Sequence, residues 1–181
     1  MSRYEELVKL CWGIRPDHIL EIGTWNGLRA EQFAQCGCTY TGFDLFEDAT
    51  AETDEKEKNV KAHHTLEDVA HRLQEKGVEA YLFRGNTNET LPKYNAEHHA
   101  HFDFAFIDGG HSVETIQNDW DNVKQLMAPG GVVVFDDYYE GDIDTEEFGC
   151  NKVVENLDYY LSVSADKVKG GGLVRLAVVA L

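Results

Sequence analysis

The sequence has few positive charges and no long hydrophobic run. Its 16 Lys and Arg side chains are outnumbered by 33 Asp and Glu side chains, which gives a formal net charge of −17. Because such a surface repels phosphate backbones, we expect no nucleic-acid partner. No apolar stretch approaches the length of a membrane span, and the N-terminal residues lack the hydrophobic region of a signal peptide. We therefore expect no membrane association.

The four cysteines lack the spacing of a zinc site. Cys36 and Cys38 are separated by one residue rather than two, and Cys11 and Cys150 supply no second pair. We therefore expect reduced thiols in a cytoplasmic protein. A length of 181 residues and a hydrophobic share of 43% are typical of a single domain, residues 1–181, with an ordinary core.

The stretch HILEIGTWNG, residues 18–27, is predicted to organise the chain. It reads as a short buried strand that runs into a glycine-flanked turn and then a helix. Gly23 and Gly27 allow the backbone to approach a ligand closely, and the following helix points free N–H groups at it. Glu21 is the exception in the strand, because a buried carboxylate is costly without a polar partner. The spacing is G-x-x-x-G, which differs from the dinucleotide-binding G-x-G-x-x-G.

Strand and helix patterns alternate along the rest of the chain. A lead-in helix is predicted within residues 1–17, where Ser2 and Glu5 form a capping box. The polar, acidic segment 46–64 is predicted to be either a solvated loop or a mobile flap, and residues 86–92 are predicted to form a turn. Further strands are predicted at 39–45, 80–85, 102–107, 132–135, 160–163 and 173–181.

This alternation predicts a parallel sheet with helices on both faces. The C-terminal ends of parallel strands share one edge, where a ligand binds at the switch point of the strand order. Polar residues stand at five of these predicted strand ends, namely Gly23–Gly27, Asp44, Asn86, Asp108 and Asp136–Asp137. That coincidence is the main functional indication in the sequence.

Five motifs in this order resemble those of class I S-adenosylmethionine-dependent methyltransferases: EIGTWNG, GFDLF, RGNTNETLP, FDFAFIDGGHS and PGGVVVFDDYY. Within that superfamily the sequence is most similar to small, often metal-dependent O-methyltransferases of the catechol and macrolide-sugar types. The resemblance covers roughly His18 to Tyr139. It implies a Rossmann-like α/β sandwich, with a seven-stranded, mostly parallel sheet, an antiparallel C-terminal strand and helices on both faces.

The resemblance implies a cofactor site for S-adenosylmethionine. The first motif would meet the amino-acid portion of the cofactor, whose cationic amino group would also explain a buried Glu21. Asp44 matches the acidic residue that accepts both ribose hydroxyls, and Asn86 stands where the family often has an aspartate near the adenine. The implied cofactor residues are Glu21, Gly23, Thr24, Trp25, Gly27, Asp44, Leu45, Asn86 and Asp108. The alternative is an ordinary strand-to-helix turn followed by an acidic loop.

Asp108, Asp136 and Asp137 form a second predicted constellation. Carboxylates at the ends of adjacent parallel strands repel one another unless they are protonated or bridged by a cation. Oxygen ligands favour a hard ion such as Mg²⁺, Mn²⁺ or Ca²⁺. In the resembled enzymes the matching acids hold a divalent metal that binds the acceptor hydroxyl. The alternative is that Asp108 caps the following helix while the other two carboxylates face water.

His111 stands three residues after Asp108, where catechol-type relatives carry a lysine general base. A neutral imidazole suits removal of a proton from the acceptor, so Asp108 and His111 are the predicted catalytic residues. The predicted function is metal-assisted O-methylation of a small molecule, and a homodimer is left open. Two alternatives share the cofactor site: a metal-free N- or C-methyltransferase, and a non-catalytic cofactor-binding module. A nicotinamide-dependent oxidoreductase is disfavoured by the glycine spacing.

Overall fold

A computed structural model describes residues 1–98, 101–168 and 171–181 of the chain. The strands are β1 (His18–Ile22), β2 (Thr39–Asp44), β3 (Ala80–Arg84), β4 (Phe102–Ile107), β5 (Met127–Glu140), β6 (Tyr159–Leu161), β7 (Asp166–Lys167) and β8 (Leu173–Ala180). The helices are α1 (Arg3–Ile14), α2 (Leu28–Phe33), α3 (Ala51–Glu57), α4 (Leu66–Glu75), α5 (Thr87–Glu97), α6 (Val113–Val123) and α7 (Asn151–Val154). Two short 3₁₀ turns span Ala34–Cys36 and Phe46–Asp48.

The strands form one mixed sheet with the order β3-β2-β1-β4-β5-β8-β6. Strands β1 to β5 pair in parallel, whereas β8 runs antiparallel to β5, β6 and β7. The predicted mostly parallel sheet with an antiparallel C-terminal strand is confirmed. The predicted count of seven is short by one, because the two-residue strand β7 adds to the side of β8.

Two hydrophobic clusters cover the two faces of the sheet. Strand β4 contributes side chains to both clusters, because successive side chains of a strand point to opposite faces. Phe104 and Phe106 pack on one face of the sheet, and Ala105 and Ile107 pack on the other. Buried side chains of α1, α2 and α4 lie in the first cluster, and those of α5, α6 and α7 lie in the second. The helices therefore flank both faces, as predicted, and the C-terminal ends of the parallel strands remain open at one edge.

Helix α1 follows the sequence prediction closely. Ser2 is its N-cap, and the capping box with Glu5 is formed in both directions. Leu7, Val8 and Cys11 are its buried residues, so the helix is held against the sheet by one apolar face. All four cysteines are free thiols. Among the described residues, no helix combines the length and the apolar character that crossing a bilayer requires.

Two polar segments contain helices that the sequence analysis did not predict. Residues 46–64 hold a 3₁₀ turn and helix α3, which begins after a capping box formed by Thr50 and Thr53. Helix α3 has no buried residue, so hydrophobic periodicity could not reveal it. Residues 86–92, predicted as a turn, instead begin α5: Asn86 is the N-cap, and Pro92 lies inside the helix.

Candidate functional site

A cavity of about 340 Å³ lies at the C-terminal ends of β1 to β4. Eight of the residues that the sequence singled out line it: Gly23, Thr24, Trp25, Asp44, Leu45, Asn86, Asp108 and His111. In the described part of the chain, four others do not line it: Glu21, Gly27, Asp136 and Asp137. The volume is within the range of pockets that enclose small ligands. The structure therefore brings loops that are distant in sequence to one concave site.

Gly23 lies where three strands end within hydrogen-bonding distance of one another. Its N–H donates to the carbonyl of Phe43 at 2.8 Å, and the N–H of Asp108 donates to the carbonyl of Ile22 at 2.9 Å. The backbone has a φ of +88°, and a Cβ atom at this position would lie 2.0 Å from the carbonyl oxygen of Asp108. Only glycine fits here, because both the dihedral angle and the space exclude a side chain.

The carboxylate of Asp44 is fixed in orientation by the backbone around it. Oδ2 accepts a hydrogen bond from the N–H of Trp25, and Oδ1 accepts one from the N–H of Phe46, both at 2.7 Å. Trp25 and Phe46 have φ values of 49° and 48°, a left-handed conformation that is uncommon without glycine. Since a carboxylate has about four acceptor positions, Asp44 retains capacity to accept from a ligand in the cavity.

Glu21 lies behind the cavity wall rather than on it. The side chain is 1% exposed and accepts a hydrogen bond from the Tyr40 hydroxyl, which also lies 3.1 Å from Thr24 Oγ1. Within the protein, the polar partner of this buried carboxyl is therefore a tyrosine hydroxyl. Gly27 is the N-cap of α2, and a Cβ atom at this position would face Val69 of α4.

Glu21 should make the stability of the protein depend on pH. Burial raises its pKa from 4.5 to about 8, against the opposing effect of the Tyr40 hydrogen bond. Because the folded pKa exceeds the unfolded value, this stabilisation is complete below pH 4.5 and is lost as the pH rises to about 8. We expect Glu21→Gln to gain stability relative to the parent protein across that interval, on the order of 5 kcal/mol at most. Urea unfolding at pH 5 and pH 8 measures the difference, and equal changes in the two proteins would contradict the assignment.

Asp108 follows β4, and Asp136 and Asp137 follow Phe135, the last residue of β5 that pairs with β4. Strand β5 continues beyond them to Glu140, and Asp136 is bound by protein side chains. Arg3 reaches it from α1: Nε lies 2.8 Å from Oδ1 and Nη2 lies 3.0 Å from Oδ2. The hydroxyl of Tyr4 donates to Oδ2 at 2.6 Å and lies 3.5 Å from Oδ2 of Asp108. Burial, followed by the charge of Asp136, raises the pKa of Asp108 well above its usual range.

These contacts do not fit the predicted metal site. Both oxygens of Asp136 are engaged by the Arg3 guanidinium, which leaves Asp108 and Asp137 as the remaining carboxylates of the proposed set. Across residues 1–98, 101–168 and 171–181 no group of three or more His, Cys, Asp or Glu side chains is arranged to hold a metal ion. The predicted ligation of Mg²⁺ by Asp108, Asp136 and Asp137 is therefore not supported by this arrangement of side chains.

His111 is held by the segment that was predicted to be a loop or a flap. Its Nδ1 donates to the carbonyl of Glu57 at 2.6 Å, so its Nε2 is the nitrogen that faces Oδ2 of Asp137 at 3.6 Å. The Glu57 carboxylate in turn accepts from the N–H of Ser112 at 2.8 Å and from the hydroxyl of Thr115 at 2.7 Å. Helix α3 is thus fastened over the start of α6. The sequence analysis missed Glu57, Arg3 and Tyr4.

Comparisons with known proteins agree with this geometry. A family model described as a methyltransferase domain matches residues 20–138. No curated protein matches the sequence.

Solved structures with the same fold include three methyltransferases. One is the O-methyltransferase TomG from Streptomyces achromogenes, which is involved in tomaymycin synthesis and was solved with S-adenosylmethionine. Its sequence is 19% identical to this chain, and the TM-score is 0.69. The match covers 97% of this chain and 78% of TomG. An O-methyltransferase from Bacillus cereus, solved with S-adenosylhomocysteine, is 16% identical, with a TM-score of 0.72 over 100% and 82%. An rRNA methylase from Streptococcus thermophilus is 14% identical, with a TM-score of 0.67 over 98% and 96%.

The family match covers more than half of the chain, including four of the five sequence motifs in full and most of the fifth. Together with the strand order and the position of the cavity, it establishes that the chain belongs to the methyltransferase-domain family and is a class I S-adenosylmethionine-dependent methyltransferase.

Proposed function

We propose that the protein transfers the methyl group of S-adenosylmethionine to a hydroxyl oxygen of a small molecule. The observation that carries the proposal is the convergence of the Gly23 turn, Asp44, Asn86, Asp108 and His111 on one cavity. The acidic surface, with its net charge of −17, disfavours a nucleic-acid acceptor. Structures with the same fold, among them those from Streptomyces achromogenes and Bacillus cereus, carry the name O-methyltransferase, which supports oxygen as the acceptor atom.

The cavity fits the parts of this cofactor. Asp44 accepts the ribose hydroxyls, since its backbone hydrogen bonds fix the carboxylate beside the Gly23 turn. Asn86 faces the adenine side. Asp119 also lines the cavity, is 0% exposed, and its oxygens have no hydrogen-bond partner among the described residues. A buried polar group of this kind is costly until a donor reaches it, and an amino group on a ligand base supplies one.

The residues of the acceptor side orient a hydroxyl and remove its proton. The bound cofactor supplies an electrophilic methyl group on a sulfonium centre. Asp108 holds the acceptor hydroxyl by a hydrogen bond from the cavity wall. His111 accepts the proton at Nε2, because its Nδ1 is already committed to the Glu57 carbonyl, and Asp137 stabilises the resulting imidazolium. No step requires a metal ion.

Calorimetric titration with S-adenosylhomocysteine and with NAD tests the cofactor assignment. We expect saturable binding of the first and no heat with the second. Incubation with S-adenosylmethionine and a panel of small phenols, alcohols and amines then tests the reaction by mass spectrometry. A mass increase of one methyl group on a hydroxyl acceptor supports the proposal. Methylation of amines alone would favour an N-methyltransferase, and binding without turnover on any acceptor would favour a non-catalytic module.

Asp44→Ala should weaken binding of S-adenosylhomocysteine by roughly 10- to 100-fold, the loss expected when hydrogen bonds to a charged group are removed. Asp48→Ala is the matched control, because Asp48 is an exposed carboxylate that pairs with Arg84 and does not line the cavity of the described structure. We expect its affinity to equal that of the parent protein. Equal losses in both variants would show that overall charge, rather than contact with the ribose, is responsible.

A further inference from the structure

Arg3 places a guanidinium at the point where the sequence predicts a metal ion. It contacts both oxygens of Asp136, and its Nη1 lies 2.8 Å from Oδ2 of Asp166 on β7. The Arg3 side chain is 13% exposed and the Asp136 side chain 2%. The guanidinium therefore bridges two carboxylates from different strands, as a bound cation would.

The geometry of the contact is that of a strong ion pair. Paired N–H groups directed at both oxygens of one carboxylate combine charge with orientation, which a lysine cannot reproduce. The ring of Tyr4 lies between two guanidiniums: Cζ of Arg3 is 4.2 Å and Cζ of Arg29 4.1 Å from its centroid. The Tyr4 hydroxyl meets the same Asp136 oxygen as Arg3 Nη2. Asp136 is therefore satisfied without a metal.

The fold holds Arg3 in place through the rest of α1. The helix is packed by Leu7, Val8 and Cys11 and closed at its start by the Ser2 capping box. One turn after Arg3, the carboxylate of Glu6 accepts hydrogen bonds from the N–H groups of Val163 at 2.9 Å and of Ser164 at 2.7 Å. The N-terminal turn is thus tied to the segment between β6 and β7. The position of the guanidinium follows from several contacts and not from one surface pair.

We propose that Arg3 takes the place of a divalent metal ion at Asp136 of β5, so that this methyltransferase neutralises Asp136 with its own side chain. The inference rests on the proposed function, because it concerns the acceptor side of the same site. A carboxylate has about four acceptor positions, and Asp136 already accepts from Arg3 Nε, Arg3 Nη2, the Tyr4 hydroxyl and the N–H of Asp137. A metal ion at Asp136 would therefore have to displace one of these donors. In the resembled enzymes a divalent metal ion supplies the positive charge at this position. In this protein the Arg3 guanidinium of α1 supplies it.

Titration with MnCl₂, followed by the EPR signal of the free ion, tests this inference without reference to turnover. We expect the parent protein to have no saturable Mn²⁺ site at Asp136. The Asp136→Asn substitution should therefore leave its titration unchanged. Arg3→Ala should gain one binding equivalent, at least about tenfold tighter than any background binding, and the double variant Arg3→Ala/Asp136→Asn should lose it. Arg3→Lys, which keeps a positive charge, should not gain it.

Lys9→Ala is the matched control. Lys9 lies on the same helix, its removal changes the net charge by the same amount, and its Nζ contacts the sulfur of Met1 rather than a carboxylate. We expect no new site in this variant. Two results would overturn the inference. In the first, the parent protein binds one equivalent of Mn²⁺ and the Asp136→Asn variant does not. In the second, the Arg3→Ala variant is thermally stable but gains no Mn²⁺ site. The first of these outcomes can be read even if Arg3→Ala does not fold.

Titration of the same proteins with S-adenosylhomocysteine separates this inference from the proposed function. Absence of S-adenosylhomocysteine binding by the parent protein would overturn the cofactor assignment and leave the Mn²⁺ result readable. The parent protein could instead bind S-adenosylhomocysteine normally and also bind Mn²⁺ at a site that depends on Asp136. That result would overturn the inference about Arg3 and leave the cofactor assignment intact.

Discussion

Replacing Gly23 by alanine is expected to destabilise the protein by roughly 2–5 kcal/mol and to abolish binding of S-adenosylhomocysteine. The φ of +88° alone costs an alanine about 1–2 kcal/mol. The new Cβ would also lie 2.0 Å from the carbonyl oxygen of Asp108, which is backbone and cannot rotate away. Since Asp108 is hydrogen-bonded to Ile22, relief of the clash would separate the ends of β1 and β4 and open the cavity wall.

Two other glycines separate the causes of this effect. Gly37 has a φ of +82°, but nothing lies within 4 Å of the position that a Cβ atom would take, so Gly37→Ala should show only the dihedral cost of about 1–2 kcal/mol. Gly13 lies in α1 with open space around it, and Gly13→Ala should be neutral or stabilising by up to about 1 kcal/mol. Urea unfolding and calorimetry measure all three variants. A Gly23→Ala protein no less stable than Gly37→Ala would show that the contact with Asp108 is unimportant.

The parts of the site that the sequence predicts are those set by local pattern. A glycine, an acid or an amide that directly follows an apolar strand must lie at the C-terminal edge of a parallel sheet. This rule correctly placed Gly23, Asp44, Asn86 and Asp108 at one cavity.

The parts that the sequence did not predict depend on contacts between distant segments. Glu57 lies on a polar helix without a buried face, and only the folded chain brings its carbonyl to His111, 54 residues away. Arg3 is an ordinary surface residue by its sequence context, and its contact with Asp136 spans 133 residues. The predicted closeness of the three aspartates indicated that the carboxylates would have to be protonated or bridged by a cation. It could not show that α1 would place a guanidinium against Asp136.

The same limitation applies to the partner of Glu21. Its place in an apolar strand correctly predicted burial and the need for a polar partner. The partner, Tyr40, comes from the neighbouring strand β2, where Ile19 pairs with Tyr40 and Glu21 with Gly42. A tyrosine in an apolar strand gives no sign of the acid that its hydroxyl will meet. The sequence could therefore state the requirement for a partner without identifying it.

Replacing His111 by alanine is expected to lower turnover by about 10²- to 10⁴-fold, the contribution that a general base makes. The imidazole lines the cavity and presents Nε2 toward Asp137 at 3.6 Å, while the Glu57 carbonyl holds Nδ1. Affinity for S-adenosylhomocysteine should change by no more than about threefold, because the predicted cofactor contacts lie elsewhere in the cavity. Steady-state methyl transfer and calorimetry on the same protein sample provide the two measurements.

A positional role and a proton-accepting role for His111 predict different results when imidazole is added. If His111 removes the proton from the substrate hydroxyl, free imidazole should restore part of the turnover of the His111→Ala variant. Free imidazole should not raise the turnover of Asp108→Asn, because that variant is defective in holding the hydroxyl. His71→Ala is the control for loss of a histidine, since His71 is exposed and pairs with Glu75 on α4; its turnover should be unchanged. If His111→Ala is fully active and Asp108→Asn is inactive, the general base is Asp108 instead. The carboxyl of Asp108 is buried beside Asp136, and its pKa is raised.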